Sequence, residues 1–438
     1  MMKRREFLRI GAVASAVTIL PSGAFALSPN GKLRTAHIGV GGMGGADLRA
    51  VASHKMVEVA GLCDVDINNL NKAKAKLGNA QCFRDYREML AKFGDKVDAV
   101  VVSTPDHTHA AASMTAMNMG KPVYCQKPLA HEVYEARQMR LVAEKKKLVT
   151  QMGIQCHSSV EYRMATEMIQ SGAIGKVSKV YAWSNKNWGY DGGPIQGEDP
   201  VPENLNWDFW IGNAAMRPFK KGVYHPANWR KMIDFGTGTL GDMGVHIFDT
   251  PFRALALTFP NWVKTTCRKP TGVGHPEKNI VEYEFPGTKY TTDKMLWTWY
   301  DGKHFPPPAN DDLKLEGQHK IPRQGAMFVG EKGRMLLPHI GGPRFFPEEK
   351  FKGINRPKLK GINHYHSWVD AAMGTGETSA NFTYAGKLTE ALVLGVVANR
   401  FPGKTLNWDA EAFKVTNEPE ANKLLNRDYR EGYKVEGL

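Results

Sequence analysis

The chain has 438 residues, 42% hydrophobic and 23% charged; this composition supports a folded core over two or three domains and excludes a disordered chain. The formal net charge is +14, but no Arg-rich arm or basic helix accompanies it. Lys145–Lys147 is a single short cluster, so the charge reads as a solvated basic surface and no nucleic-acid partner is expected. The five cysteines, Cys63, Cys82, Cys125, Cys156 and Cys267, form no C-x-x-C pair, so neither a disulfide framework nor a metal site is expected.

Arg4 and Arg5 precede Phe7 and Leu8, an apolar stretch Ile10–Leu20 too short to span a bilayer comfortably, and Ala24-Phe25-Ala26. Residues 1–26 resemble a twin-arginine signal cleaved after Ala26, the other reading being an uncleaved anchor helix. The expected partner is the twin-arginine export machinery and the expected location the periplasm. That route carries folded proteins, which suits a chain that needs a cytoplasmic cofactor loaded before export.

The predicted elements begin with a strand over Thr35–Val40. Gly39-Val40-Gly41-Gly42-Met43-Gly44 follows as G-x-G-x-x-G, and then a helix. Glycines allow a tight turn and close backbone approach to a pyrophosphate, and the helix N-terminus offers N–H groups to its charge. "MVEVAGLCDVD" is a second strand ending at Asp64, placed to accept hydrogen bonds from a ribose and to repel a 2′-phosphate. NAD is therefore the expected cofactor. Strands at "VDAVVVSTP", "KPVYC" and "LVTQMGIQ" alternate with helices over His107–Met119 and Tyr134–Lys145. This alternation predicts a Rossmann-type, doubly wound parallel sheet over residues 33–155, with ligands beyond the carboxyl ends of the strands. Gly39, Asp64, Thr104 and Lys127 stand at such ends.

Residues 156–438 change pattern. A helix over Val160–Ser171 precedes strands at "VSKVYAWSNKNW", "NWVKTTCRK", "IVEYEFPG" and "KYTTDKMLWTWY". Few helices intervene, which predicts a C-terminal α+β domain with an open, mostly antiparallel sheet. Two late helices, at "NHYHSWVDAAMGTG" and "YAGKLTEALVLGVVANRFPG", close the chain, the second packing back on the core. The segment Trp188–Arg230 is irregular and aromatic. Trp207 and Trp210 read as packing anchors there, whereas Trp188, Tyr190, His225, Trp229 and Arg230 read as pocket residues able to stack on and hydrogen-bond a sugar. Gln155 and His157 follow the last strand of the first domain and are candidates for the same cleft.

Thr104-Pro105-Asp106…His109, Gly120-Lys121-Pro122-Val123, Gln126-Lys127-Pro128 and Asp242-Met243-Gly244-Val245-His246 together resemble the glucose–fructose oxidoreductase/inositol dehydrogenase (Gfo/Idh/MocA) family. That family shows T-P-N-x-x-H, G-K-H-V, E-K-P and D-x-G-x-H in this order. Asp106 and Gln126 depart from its usual Asn and Glu. The resemblance implies that Lys127, Asp242 and His246 are the catalytic set. It places cofactor contacts at Gly39, Gly41, Gly42, Met43, Gly44, Asp64, Thr104, Pro105, His109, Gln126 and Lys127. It also implies an open sheet that serves as substrate lid and as the contact surface of a homo-oligomer. Alone, Lys127 reads as a surface lysine and His246 as a core histidine. Together they supply what hydroxyl oxidation needs, a base near neutrality and a cation for the developing alkoxide. Asp249 is a weaker candidate on a similar helix face.

The expected function is an exported, NAD-dependent oxidoreductase acting on a sugar, polyol or glycoside with a tightly held cofactor. Two alternatives stand beside it: a glycosidase that oxidises C3 transiently, eliminates and returns the hydride, and a non-catalytic sugar-binding protein.

Overall fold

A computed structural model describes residues 31–302, 304, 305, 307–316 and 320–438; the expected export signal, residues 1–26, lies outside them. The first domain runs β1 (Leu33–Ile38), α1 (Gly42–Ala52), β2 (Val57–Cys63), α2 (Ile67–Leu77), β3 (Gln81–Phe83), α3 (Tyr86–Phe93), β4 (Ala99–Val102), α4 (Asp106–Asn118), β5 (Val123–Cys125), α5 (Val133–Lys146) and β6 (Thr150–Met152). The six strands pair in parallel in the order β3-β2-β1-β4-β5-β6. The order reverses between β1 and β4, which opens a crevice at their carboxyl ends. The expected strand over Thr35–Val40 stops at Ile38 because Gly39 turns with φ +81°. β3 escapes the pattern because it is a three-residue edge strand with no apolar run.

The second domain holds α6 (Val160–Gln170), β7 (Val177–Ser184), α7 (Trp207–Ile211), α8 (Val245–Ala254), β8 (Trp262–Thr266), β9 (Lys278–Pro286), β10 (Thr291–Gly302), β11 (Gln324–Gly330), β12 (Gly333–Pro338), β13 (Arg344–Phe346), α9 (His364–Ala372), α10 (Phe382–Ala398), β14 (Thr405–Asp409) and β15 (Lys414–Val415). Its nine-stranded sheet runs β13-β12-β11-β7-β10-β9-β8-β14-β15. All pairs are antiparallel except β7 with β10. β9 alternates strictly, with Asn279, Val281, Tyr283 and Phe285 buried between more exposed neighbours. That period of two gives the sheet one apolar face. Phe248 of α8 packs on this face with its ring 4.1 Å from Trp297, which fixes the helix that carries His246.

The two late helices divide their work. Trp368, Val369 and Ala372 of α9 join Leu33, Val101 and Tyr124 in a core cluster on the first sheet. α10 is buried along most of its length. The two domains therefore share one packed body.

One buried group sets a pH dependence. On β10, Asp301 Oδ2 accepts from Trp299 Nε1 at 2.7 Å, Oδ1 is buried without a partner, and burial pushes the carboxyl up to about 8. In the unfolded chain this carboxyl ionises near 4. The folded state thus keeps a proton that the unfolded chain has released, and the group's contribution to stability is lost as pH rises from about 4 through about 8. Asp301→Asn is expected to gain a few degrees in Tm at pH 9 relative to the native chain and little at pH 5, measured by thermal unfolding.

Candidate active site

The crevice between β1 and β4 opens into a cleft of about 690 Å³ that runs from the glycine turn to α8. At one end the glycines are sterically required. A Cβ on Gly44 would stand 2.1 Å from the Gly39 carbonyl oxygen, and one on Gly39 would stand 2.6 Å from the Ser103 carbonyl oxygen. A Cβ on Gly42, at φ +50°, would meet nothing within 4 Å. The turn therefore packs tightly on the protein side and leaves room on the cleft side, as a pyrophosphate cradle requires. Asp64 Oδ2 accepts from the Val40 and Gly41 N–H groups at 2.9 and 3.2 Å, and Oδ1 accepts from Asp66 N–H. Asp64 thus holds the turn in shape from the end of β2 and also lines the cleft. These residues fit a dinucleotide.

At the other end charges alternate. Lys127 Nζ donates to Asp242 Oδ1 at 2.6 Å and to the Asp242 carbonyl oxygen at 3.1 Å. Arg230 Nη1 lies 3.1 Å from the same Oδ1 and 3.7 Å from Asp106 Oδ1. Asp106 Oδ2 is held by Thr237 Oγ1 at 2.7 Å. Burial opposes ionisation of Asp242, but the charges of Lys127 and Arg230 outweigh it and hold the carboxyl far below the usual range. Asp242 sits in a π-helical turn, Leu240–Gly244, that runs straight into α8; such turns widen the helix and often occur at functional sites. His246 follows in the first turn of α8 and lines the cleft. Burial first, then the nearby positive charge of Lys127, push its pKa well below the ordinary histidine value, so it is neutral near pH 7. Its Nδ1 is buried without a partner.

The cleft brings together Gly39, Gly41, Gly42, Met43, Asp64, Thr104, Pro105, Gln126, Lys127, Gln155, His225, Trp229, Arg230 and His246. Gly44 and Asp242 stand directly behind it. Other expected site residues are placed elsewhere. His109 is buried, with its ring nitrogens 2.8 Å from the Pro128 and Thr104 carbonyl oxygens, so it ties together the loops that carry Thr104 and Lys127. His157 is buried between Asp249 (2.7 Å) and Arg253 (3.1 Å) and does not line the cleft. His157 and Asp249, expected at the substrate, instead satisfy each other in the core and stand off the cleft. Trp188 and Tyr190 also stand off the cleft. The Trp188 backbone donates to Thr239 Oγ1, and Tyr190 packs against the aromatic cluster of residues 205–235. Trp207 and Trp210 stack at 4.8 Å within that cluster, and Trp210 reaches the cleft as well. Among the described residues, no group of three or more His, Cys, Asp or Glu is placed to hold a metal ion.

Sequence reasoning missed two features. The cleft is also lined by Arg84, Tyr86, Phe209 and Tyr433, and Tyr433 arrives from the C-terminal tail with the Arg87 guanidinium 3.8 Å from its ring centroid. The irregular segment also crosses to the first domain. Ile67 N–H donates to the Asn204 carbonyl, Asn206 N–H donates to the Val65 carbonyl, and Arg84 bonds both of those carbonyl oxygens. No local motif announces either contact, since both join residues more than a hundred positions apart.

The Gfo/Idh/MocA model described as "Oxidoreductase family, NAD-binding Rossmann fold" matches residues 33–154. A second, described as "Oxidoreductase family, C-terminal alpha/beta domain", matches residues 159–257, and the two together span half of the chain. The chain belongs to the Gfo/Idh/MocA oxidoreductase family. Its first domain is the family's NAD-binding Rossmann domain. An inositol 2-dehydrogenase of Rubrobacter xylanophilus is 30% identical over 151 residues, 33% of this chain and 42% of that relative. A glucose-6-phosphate 3-dehydrogenase of Bacillus subtilis is 23% identical over 212 residues, 48% of this chain and 51% of its own. The similarity thus spans about half or less of these curated relatives. A solved inositol dehydrogenase homologue from Azotobacter vinelandii, complexed with NADH and myo-inositol, superposes with a TM-score of 0.59 at 16% identity over 89% of this chain and 100% of that one. The WlbA dehydrogenase from Bordetella pertussis, in complex with NADH and UDP-GlcNAcA, gives 0.61 at 15% identity over 86% and 99%. At these identities the solved structures establish the shared fold.

Proposed function

We propose that the chain is an NAD-dependent oxidoreductase that transfers a hydride between a hydroxyl of a sugar, polyol or glycoside and a tightly held nicotinamide cofactor. One observation carries this: the glycine turn and Asp64 share a continuous cleft with Lys127, His246, Trp229 and Arg230. Bound NAD supplies the hydride-transfer chemistry. His246, neutral and at the cleft wall, takes the proton of the reacting hydroxyl. Lys127 offers its ammonium to the oxygen as charge develops, and Asp242 keeps that ammonium aimed. Trp229 presents an aromatic face beside Arg230, whose guanidinium lies 4.4 Å from the ring centroid. The carbohydrate class is supported by relatives named for inositol and glucose 6-phosphate.

Residues 1–26 extend the proposal to export by the twin-arginine route as a folded, loaded protein. Free NAD is scarce outside the cytoplasm, so the cofactor must be held tightly and recycled by a second substrate or within one cycle. The crossing of residues 204–206 onto 65–67 and the tail residue Tyr433 both suit such retention. The open sheet is the surface proposed to meet a second copy.

The test is to purify the exported protein, identify its nucleotide by mass, and screen polyols and glycosides for change in NADH absorbance. Bound NAD and a keto product are the expected results, and absence of any nucleotide would overturn the tight-cofactor reading. Free sugar released without net NADH would instead mean elimination with return of the hydride. The acid limb of kcat/KM is expected below the ordinary histidine value of about 6.5, because the depressed pKa keeps His246 neutral there. Tyr433→Ala is expected to lower nucleotide retention about two- to tenfold, read as NAD content after extended dialysis.

A further inference from the structure

Asp47 belongs to none of the motifs above and is fully buried in α1. Its carboxylate gathers donors from three other parts of the fold. Ser103 Oγ donates to Oδ2 at 2.7 Å, Gln126 Nε2 to Oδ2 at 2.9 Å and Oδ1 at 3.0 Å, and Tyr365 OH to Oδ1 at 3.0 Å. Ser103 and Gln126 immediately precede Thr104 and Lys127. Tyr365 OH in turn accepts from Gln155 Nε2 at 2.8 Å. One buried carboxylate thus reaches the cleft wall at three points.

The Gln126 side chain packs against Gly153. A Cβ on Gly153 would stand 2.7 Å from its Nε2, so the glycine leaves the room that the amide occupies. Its Oε1 accepts from the Lys127 backbone N–H at 3.2 Å. Nε2 can only donate, and Asp47 faces it with acceptors. A glutamate at 126 would set a second carboxylate against the first, where one of the two must stay protonated.

We infer that Asp47 is a positioning residue for the cofactor cleft: by pairing its carboxylate with the amide of Gln126 it fixes that side chain and the backbone leading into Lys127. This rests on the NAD reading of the cleft and is independent of which carbohydrate is oxidised.

The pair can be tested at constant shape, because Asp and Asn, like Gln and Glu, are nearly isosteric. Gln126→Glu opposes two carboxylates, and Asp47→Asn turns one of the two acceptors facing Gln126 Nε2 into a donor. The double variant Asp47→Asn/Gln126→Glu restores a carboxylate–amide pair with its direction reversed, and the hydroxyls of Ser103 and Tyr365 can serve either arrangement. NAD binding to the full-length protein, stripped of nucleotide and followed by tryptophan fluorescence, is expected to weaken about tenfold in each single variant and to return to within about threefold in the double. The thermal midpoint of the nucleotide-free protein is measured in parallel. Native binding in both singles, or a double as weak as the product of the singles, would overturn the inference. So would rescue of the midpoint without rescue of NAD binding, which would make Asp47 a fold contact only. A carbohydrate screen that finds no substrate while the cycle still closes would sink the substrate assignment alone.

Discussion

Lys127→Ala is expected to lower kcat about a hundred- to ten-thousand-fold while the protein stays folded and keeps its nucleotide. The fold should survive because Asp242 does not lose its only cation: Arg230 Nη1 already lies 3.1 Å from the same Oδ1. Nucleotide should stay bound because the glycine turn, Asp64 and Tyr433 are untouched. Turnover of the identified substrate, with nucleotide content measured on the same preparation, separates the two effects. Unchanged turnover would place the chemistry elsewhere.

Asp242→Asn carries the largest expected cost in stability. It leaves Lys127 and Arg230 beside each other with no shared carboxylate, and breaking such a buried pair costs about 3–5 kcal/mol. The sign with pH follows from the depressed pKa of Asp242. The unfolded carboxyl titrates near 4, so the group's full contribution is present above that value and is lost as pH falls through the lower folded value. The native chain should therefore lose stability steeply in acid, and the variant should start lower at pH 7 and show a shallower acid slope. Chemical unfolding at pH 7 and at about pH 2, below the unfolded carboxyl's value, reads both; equal stability of the two proteins at pH 7 would show that the carboxylate is not holding the cations in place. Turnover should fall in the same variant, since Lys127 loses the partner that aims it.

Much of the site was legible because its chemistry sits at places that local rules define. A glycine turn between a strand and a helix, an acid at the end of the next strand, and a lysine after β5 all stand at the carboxyl ends of short buried strands that alternate with helices. The two departures from the family motifs looked like puzzles in one dimension, and each has a partner in three. Asp106 faces Arg230 and Thr237, and Gln126 faces Asp47.

The irregular stretch from Trp188 to Arg230 shows why the remainder stayed hidden. It has neither helical nor strand periodicity, so nothing local says which side chain faces the cleft. Trp229, His225 and Arg230 do, whereas Trp188 and Tyr190 do not. His157 looked equally available at the end of a strand, yet a core carboxylate and arginine claim it. Residue order alone thus determined the dinucleotide fold and the cofactor, because the glycine turn, the acid at the end of the next strand and the βα alternation are local patterns, while the family resemblance pointed to Lys127, Asp242 and His246. The tertiary structure decided that Arg230 shares the carboxylate of Asp242, that Asp47 underlies Gln126, and that the tail brings Tyr433 to the cleft. Each of those joins distant segments, whose orientation is set by hydrogen bonds and packing that no local pattern encodes.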